Sequence, residues 1–169
     1  MKNKKVTFIT QAAVIAALYT ILTLIANSLG GLATGINPLG IQVRFSEALC
    51  ILPMFMPAAI PGLFVGCVIS NLLTGCMLLD VIFGSIATLI GAILTRYFHK
   101  PAWVGFIWPI LSNTLIVPAI LTNVYMFENS YFYYVATVGI GEVLSVGLLG
   151  YLFLLMIKKY NLIERLKIQ

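Results

Sequence analysis

Charge is scarce in this chain. Ten Lys and Arg and five Asp and Glu make up 9% of 169 residues. A soluble domain carries about a quarter charged residues, so an ordinary water-facing surface is excluded. Histidine occurs once, at His99 in a basic stretch, which excludes HExxH chemistry and a Ser–His–Asp triad. The three cysteines, Cys50, Cys67 and Cys76, form no CxxC pair, so neither a zinc site nor a disulfide framework is expected. There is no G-x-x-x-x-G-K-[ST], so this chain does not itself cradle ATP. The net charge of +5 is dispersed and lies in no nucleic-acid-binding motif. The expectation is a protein that is not an enzyme and binds no metal, cofactor or nucleic acid.

Apolar residues are abundant instead. They form 61% of the chain, and mean hydropathy is +1.05. The bilayer is then the solvent, and six spans of about 20 residues each consume nearly the whole length. We expect one membrane domain over residues 1–169: an all-α, six-transmembrane-helix bundle. The spans fall at about 6–29, 43–56, 61–74, 80–96, 102–121 and 135–157. The first is read as a retained helix rather than a signal peptide, because its apolar run is long and no small-residue cleavage site follows.

The cations set the orientation. Lys2, Lys4 and Lys5 precede span 1. Arg96, His99 and Lys100 lie between spans 4 and 5, and Lys158, Lys159, Arg165 and Lys167 follow span 6. Positive loops stay inside, so both termini are expected in the cytoplasm, with lipid bilayer on all sides. Leu162, Ile163, Leu166 and Ile168 give the tail an apolar stripe that can lie on the inner face.

Five charges do not fit that scheme: Arg44, Glu47, Asp80, Glu128 and Glu142. All fall on the outer side or in the outer half, which suggests a pocket open to the outside. Arg44 and Glu47, three residues apart, share a face if helical. They either offer a ligand one cation and one anion or form a structural ion pair. Glu142 lies well inside span 6, where a lone carboxylate costs about 3 kcal/mol. A ligand donor, Arg44, or protonation has to compensate it. Asp80 opens span 4, at the positive end of the helix dipole. Asn71 and Asn113 need partners inside lipid, from a neighbouring helix or a ligand. Tyr125, Phe127 and the run Tyr131, Phe132, Tyr133 and Tyr134 form either an interfacial belt or a stacking platform. Glu128 reads as a solvated loop residue.

Two further features concern close approach. Ala12 with Ala16, and Ala13 with Ala17, give span 1 two Ala-xxx-Ala faces, and Gly62, Gly66 and Ser70 form a small-residue stripe on span 3. The glycine-rich stretch 30–40 is long for a connection and reads as a lid.

Taken together, the six short spans, the Ala-xxx-Ala face and the glycine-rich first outer loop resemble the substrate-binding S components of energy-coupling-factor (ECF) vitamin transporters. The stretch Ile41-Gln-Val-Arg-Phe-Ser-Glu-Ala-Leu-Cys-Ile-Leu-Pro resembles the QueT family in particular. So do Pro57-Ala-Ala-Ile-Pro-Gly-Leu-Phe-Val-Gly-Cys, Asn71-Leu-Leu and Leu79-Asp-Val-Ile-Phe-Gly-Ser-Ile-Ala-Thr-Leu. The resemblance implies a multi-pass, bacterial-type plasma-membrane protein that captures a queuosine precursor, a 7-deazaguanine, from outside. It implies a transmembrane coupling subunit and two cytoplasmic ATPase subunits that hydrolyse ATP. Ala13 and Ala17, or the neighbouring register Ala12 and Ala16, would dock that coupling subunit. Arg44, Glu47, Asn71, Asp80, Asn113, Tyr125 and Glu142 are the candidate substrate-binding residues. The alternatives are an S component for another vitamin-like heterocycle, or a membrane scaffold without transport.

Overall fold

The computed structural model describes residues 4–29, 41, 43–126 and 129–162. The expected lid at 30–40, Phe127, Glu128, Lys2 and tail residues 163–169 lie outside the described residues.

Among the described residues every regular element is helical. Helix α1 is Lys4–Ser28, α2 is Ala59–Leu73, α3 is Leu78–Tyr97 and α4 is Val104–Asn123. The continuous helix Tyr131–Lys159, here α5, has a π-helical stretch at Val143–Leu149. A 3-10 helix, Phe45–Met54, precedes α2. Four helices (α1, α3, α4 and α5) are long and apolar enough to cross a membrane. Their outward faces carry residues such as Ile9, Ile21, Phe83, Leu115, Val143 and Leu152, all exposed. Such a surface is tolerable only against lipid. At 1.5 Å per residue the 25-residue α1 is about 38 Å long, more than a hydrocarbon core of about 30 Å.

The 3-10 helix is the centre of the bundle. It touches α1, α2, α3, α4 and, in α5, the π-helical stretch and the C-terminal part. Ser46, Glu47, Leu49, Cys50, Ile51, Pro53 and Met54 are buried, leaving no lipid-facing stripe. At about 2.0 Å per residue its ten residues cover roughly 20 Å, too little to cross the hydrocarbon alone. Such backbone is tolerated at membrane depth where protein surrounds it on every side. Ten residues is also long for a 3-10 helix, a form that marks hinges or strained sequence. Its C-terminal carbonyls, which no intrahelical donor reaches, are met from α3: Arg96 Nη1 donates to Pro53 O and Met54 O, each at 3.2 Å.

Three sequence expectations shift here. The segment expected as a short span over 43–56 is this narrower central rod. The aromatic run Tyr131–Tyr134 is the first turn of α5, not loop, because Ser130 caps it by accepting from the Tyr133 N–H. And Arg96, counted among loop cations, is a cap for the central helix.

Small residues set the helix spacing. A Cβ at Gly62 would stand 2.8 Å from Ala12 O, and one at Gly66 would stand 2.8 Å from Tyr19 Cβ and 3.0 Å from Ala16 O. The stripe on α2 is therefore the α1–α2 contact. In α4, Pro109 frees the carbonyl four residues earlier, at Gly105. Thr95 Oγ1 of α3 donates to that oxygen at 3.0 Å, so the break in the helix ladder is repaired from the next helix.

Candidate functional site

Glu47 sits on the first turn of the central helix, 1% exposed. Its Oε1 accepts from the Tyr19 hydroxyl of α1, and its Oε2 accepts from Cys50 Sγ at 3.0 Å and from Asn113 Nδ2 of α4 at 3.4 Å. In a 3-10 helix residues three apart stack directly, which is why Glu47 and Cys50 meet. Arg44 does not share that face. It precedes the helix in extended conformation (φ −106°, ψ 114°). Of the two readings of that spacing, the structural ion pair is not formed among the described residues, and Glu47 holds three neutral donors instead. The Arg44 main-chain N–H donates at 3.0 Å to Ser145 Oγ in the π-helical stretch of α5. Its guanidinium remains within electrostatic reach of Glu47, Asp80 and Glu142.

Glu142 is the last residue before the π-helical stretch and is 8% exposed. It faces Glu47, Arg44 and the Asn113 amide. Its Oε2 is buried without a hydrogen-bond partner. Two carboxylates and one guanidinium therefore share a space that α4 and α5 close around the central helix.

A second polar group lies at the start of α3. Tyr125 Oη donates to Asp80 Oδ2 at 3.0 Å and accepts from the Met77 N–H at 3.1 Å. Burial, and then the Asp80 carboxylate, push the Tyr125 phenol up to about 12. Asp80 and Asn71 converge on Gly84, where an added Cβ would lie 3.3 Å from Asp80 Oδ1 and 3.4 Å from Asn71 Nδ2. Asn71 Nδ2 lies 3.6 Å from Cys67 Sγ, and Thr88 Oγ1 lies 3.5 Å from the same sulfur. Cys67 in turn feels the charges of Glu47 and Arg44, so it stands between the two groups.

The structure thus gathers Arg44, Glu47, Asn113 and Glu142 into one cluster, and Asn71, Asp80 and Tyr125 into a second beside it. Of the remaining aromatics, Tyr134 is buried and edge-on to Tyr133, Tyr131 Oη donates to Leu115 O, and Phe132 is 80% exposed. Tyr19, Cys50, Cys67 and Ser145 belong to the site although the sequence did not single them out for it. For Tyr19 the sequence carries a signal: Tyr19, Thr20 and Thr23 put three hydroxyls on one side of the apolar middle of α1. The two alanine registers of α1 separate. Ala16 is buried and Ala12 half-buried against α2, while Ala13 and Ala17 are exposed.

A model of the QueT transporter family matches residues 9–159. The chain belongs to the QueT transporter family. No curated protein and no solved structure matches it. QueT proteins are transporters, not enzymes, and this one is a multi-pass plasma-membrane protein with four long apolar helices. Among the described residues no His, Cys, Asp and Glu group is arranged to hold a metal.

Proposed function

We propose that this QueT protein is the substrate-binding subunit of an ECF-type importer and that it captures a queuosine precursor, a 7-deazaguanine. In this reading six segments cross the membrane with both ends in the cytoplasm. The central helix and α2 are the two short crossings, sheathed in protein rather than lipid. The observation that carries the reading is the cluster of buried Glu47, Asn113 and Glu142 with half-buried Arg44 in a bundle whose core is largely apolar. Charges at this depth are expensive, and a scaffold has no use for a buried carboxylate with an oxygen left unpartnered.

A 7-deazaguanine presents a ring N–H and an exocyclic amine along one edge. A carboxylate accepts both through charge-assisted hydrogen bonds, and Glu142 has the oxygen to do so. Arg44 donates to the carbonyl edge. Asn71, Asp80 and Tyr125 form the adjoining wall. Glu47 already holds three donors and acts as the fixed post of the site. In an importer of this type a transmembrane coupling subunit and two cytoplasmic ATPase subunits drive delivery inward; this chain carries no G-x-x-x-x-G-K-[ST] of its own. Ala13 and Ala17, exposed and flanked by exposed Ile9 and Ile21, are the docking register, because α2 already occupies Ala12 and Ala16.

The test is calorimetric titration of the detergent-purified protein with queuine, its two pre-queuosine bases, guanine and riboflavin. Tight binding of a 7-deazaguanine, with guanine much weaker, supports the reading. Riboflavin binding alone transfers it to another vitamin-like heterocycle, and binding of none moves it to a vitamin-like heterocycle outside this panel or to the scaffold reading.

A further inference from the structure

Three buried side-chain oxygens lack a hydrogen-bond partner among the described residues: Glu142 Oε2, Thr114 Oγ1 and Ser85 Oγ. The first is taken up by the ring edge in the reading above. Thr114 lies in the seam between α4 and α5, against Gly139. Ser85, on α3 and 0% exposed, has neither explanation. Hydroxyls elsewhere in these helices are satisfied by their own backbone. Thr20, Thr23, Thr88 and Thr122 each donate to the carbonyl four residues earlier, at distances between 2.9 and 3.2 Å. The same route is open to Ser85, since its helix offers the carbonyls of Val81 and Ile82, and Ser85 does not take it. A hydroxyl kept dry and unbonded is costly, so one turned away from its own helix points to an absent partner.

The surroundings of Ser85 are short of partners too. The nearby Cys67 sulfur is a weak acceptor and already stands 3.5 Å from Thr88 Oγ1 and 3.6 Å from Asn71 Nδ2. Among the described residues, neither the Asn71 side-chain carbonyl nor Asp80 Oδ1 accepts a hydrogen bond. Gly84, next to Ser85, keeps this wall bare: an added Cβ would lie 3.3 Å from Asp80 Oδ1 and 3.4 Å from Asn71 Nδ2. The charge of Asp80 is met by Arg44 and by the N-terminal end of α3. The wall thus offers acceptor oxygens without a spare negative charge, which suits a neutral N–H donor.

The long helices succeed one another in chain order around the central helix: α1 packs on α2, α2 on α3, α3 on α4 and α4 on α5. The α2–α3 wall and α5 therefore stand on different sides of the site. A 7-deazaguanine held by Glu142 of α5 along its N–H and amine edge turns its five-membered ring the other way, and the pyrrole N–H of that ring is a neutral donor. We propose that Ser85 is a specificity-determining residue whose hydroxyl accepts this pyrrole N–H, so that the site takes free bases and rejects ligands substituted at that nitrogen, nucleosides included. This rests on the 7-deazaguanine reading above and names what the far edge of the ring meets.

The experiment uses two neutral probes with one ring: 7-cyano-7-deazaguanine and its derivative methylated at the pyrrole nitrogen. Both are titrated calorimetrically into the full chain in detergent. The wild-type protein should prefer the parent base by about tenfold or more, because the methyl group removes the donor and crowds the hydroxyl. Ser85→Ala should weaken the parent about three- to tenfold, the loss of one neutral hydrogen bond, and leave the methylated probe within about twofold. The preference then narrows by the same factor. Without ligand, Ser85→Ala should melt no lower than wild type, because the hydroxyl it removes has no partner there. A serine that only supports the fold would give a lower midpoint and an unchanged ratio between the probes, and either result overturns the inference. Equal wild-type affinities overturn it as well, in a comparison that needs no variant, and leave the 7-deazaguanine reading standing. If neither probe binds the wild-type protein, that reading falls and takes this inference with it.

Discussion

Tyr19→Phe removes one oxygen from a side chain that is 0% exposed and changes little else in shape. The hydroxyl donates to Glu47 Oε1, the only donor on that oxygen among the described residues. A hydrogen bond to a charged group contributes about 1.5–3 kcal/mol, and a carboxylate oxygen orphaned in a dry interior costs at the upper end of that range. For a chain of this size each kcal/mol moves the melting midpoint by about 2–4 °C, so the expected fall is roughly 3–12 °C. The assay is thermal unfolding of the purified protein in detergent, followed by intrinsic fluorescence. A double-mutant cycle isolates the contact. In a Glu47→Gln background the same Tyr19→Phe change meets a neutral acceptor and should cost only about 0.5–1.5 kcal/mol. A midpoint unchanged within a degree, or an equal loss in both backgrounds, would refute the assignment of the Tyr19 hydroxyl to a Glu47 carboxylate.

Three further outcomes are expected. Gly66→Leu drives a side chain into Tyr19 Cβ and the Ala16 carbonyl, so it should lower stability by about 1–3 kcal/mol and also displace Tyr19 from Glu47, weakening ligand binding; unfolding and calorimetry report the two effects. Ala13→Leu with Ala17→Leu should leave the melting midpoint and ligand binding of the isolated protein unchanged while abolishing co-purification with the coupling subunit, whereas Ala16→Leu should destabilise the isolated protein, because that position is closed against α2. Tyr125→Phe removes the donor to Asp80 and the acceptor of the Met77 N–H, so hydrogen exchange at the start of α3 should rise several-fold, at a cost of about 1 kcal/mol; in the wild-type protein this tie should hold throughout the neutral range and be lost only as the pH rises through about 12, where the phenol ionises.

Much of this arrangement was legible in the sequence, for identifiable reasons. A carboxylate or amide in an apolar span is costly, and cost is visible residue by residue. Arg44, Glu47, Asn113 and Glu142 therefore stood out and do converge. What a one-dimensional pattern does not carry is helix type. The spacing of Arg44 and Glu47 signals a pair only if both sit on one helix; the chain instead enters extended at Arg44 and then winds as a 3-10 helix, and the stacked pair becomes Glu47 with Cys50. The spacing of the three cysteines speaks only against a metal site or a disulfide framework. Their use as weak donors and bridges depends on burial, which spacing does not report. The two alanine registers of α1 are equivalent as sequence, and only the glycines of α2 decide which is occupied.

Protein on every side explains why so short a helix can hold a buried carboxylate. A lipid-facing helix must leave one side apolar, which limits a polar group to the remaining arc. A rod touched by all its neighbours has no such side, so Glu47 can draw a donor from α1, one from α4 and one from its own next turn. That burial also fixes the rod at both ends, by Arg96 on its last carbonyls and by Ser145 on the Arg44 N–H. The second tie falls within the π-helical stretch that follows Glu142. A π-helical turn is a less stable backbone than the α-helix on either side and recurs at functional sites. Glu142 is thus joined to the central helix through the one irregular segment of α5. A ligand that gives Oε2 its missing partner would change the balance at a backbone position that can shift register without breaking the flanking helices.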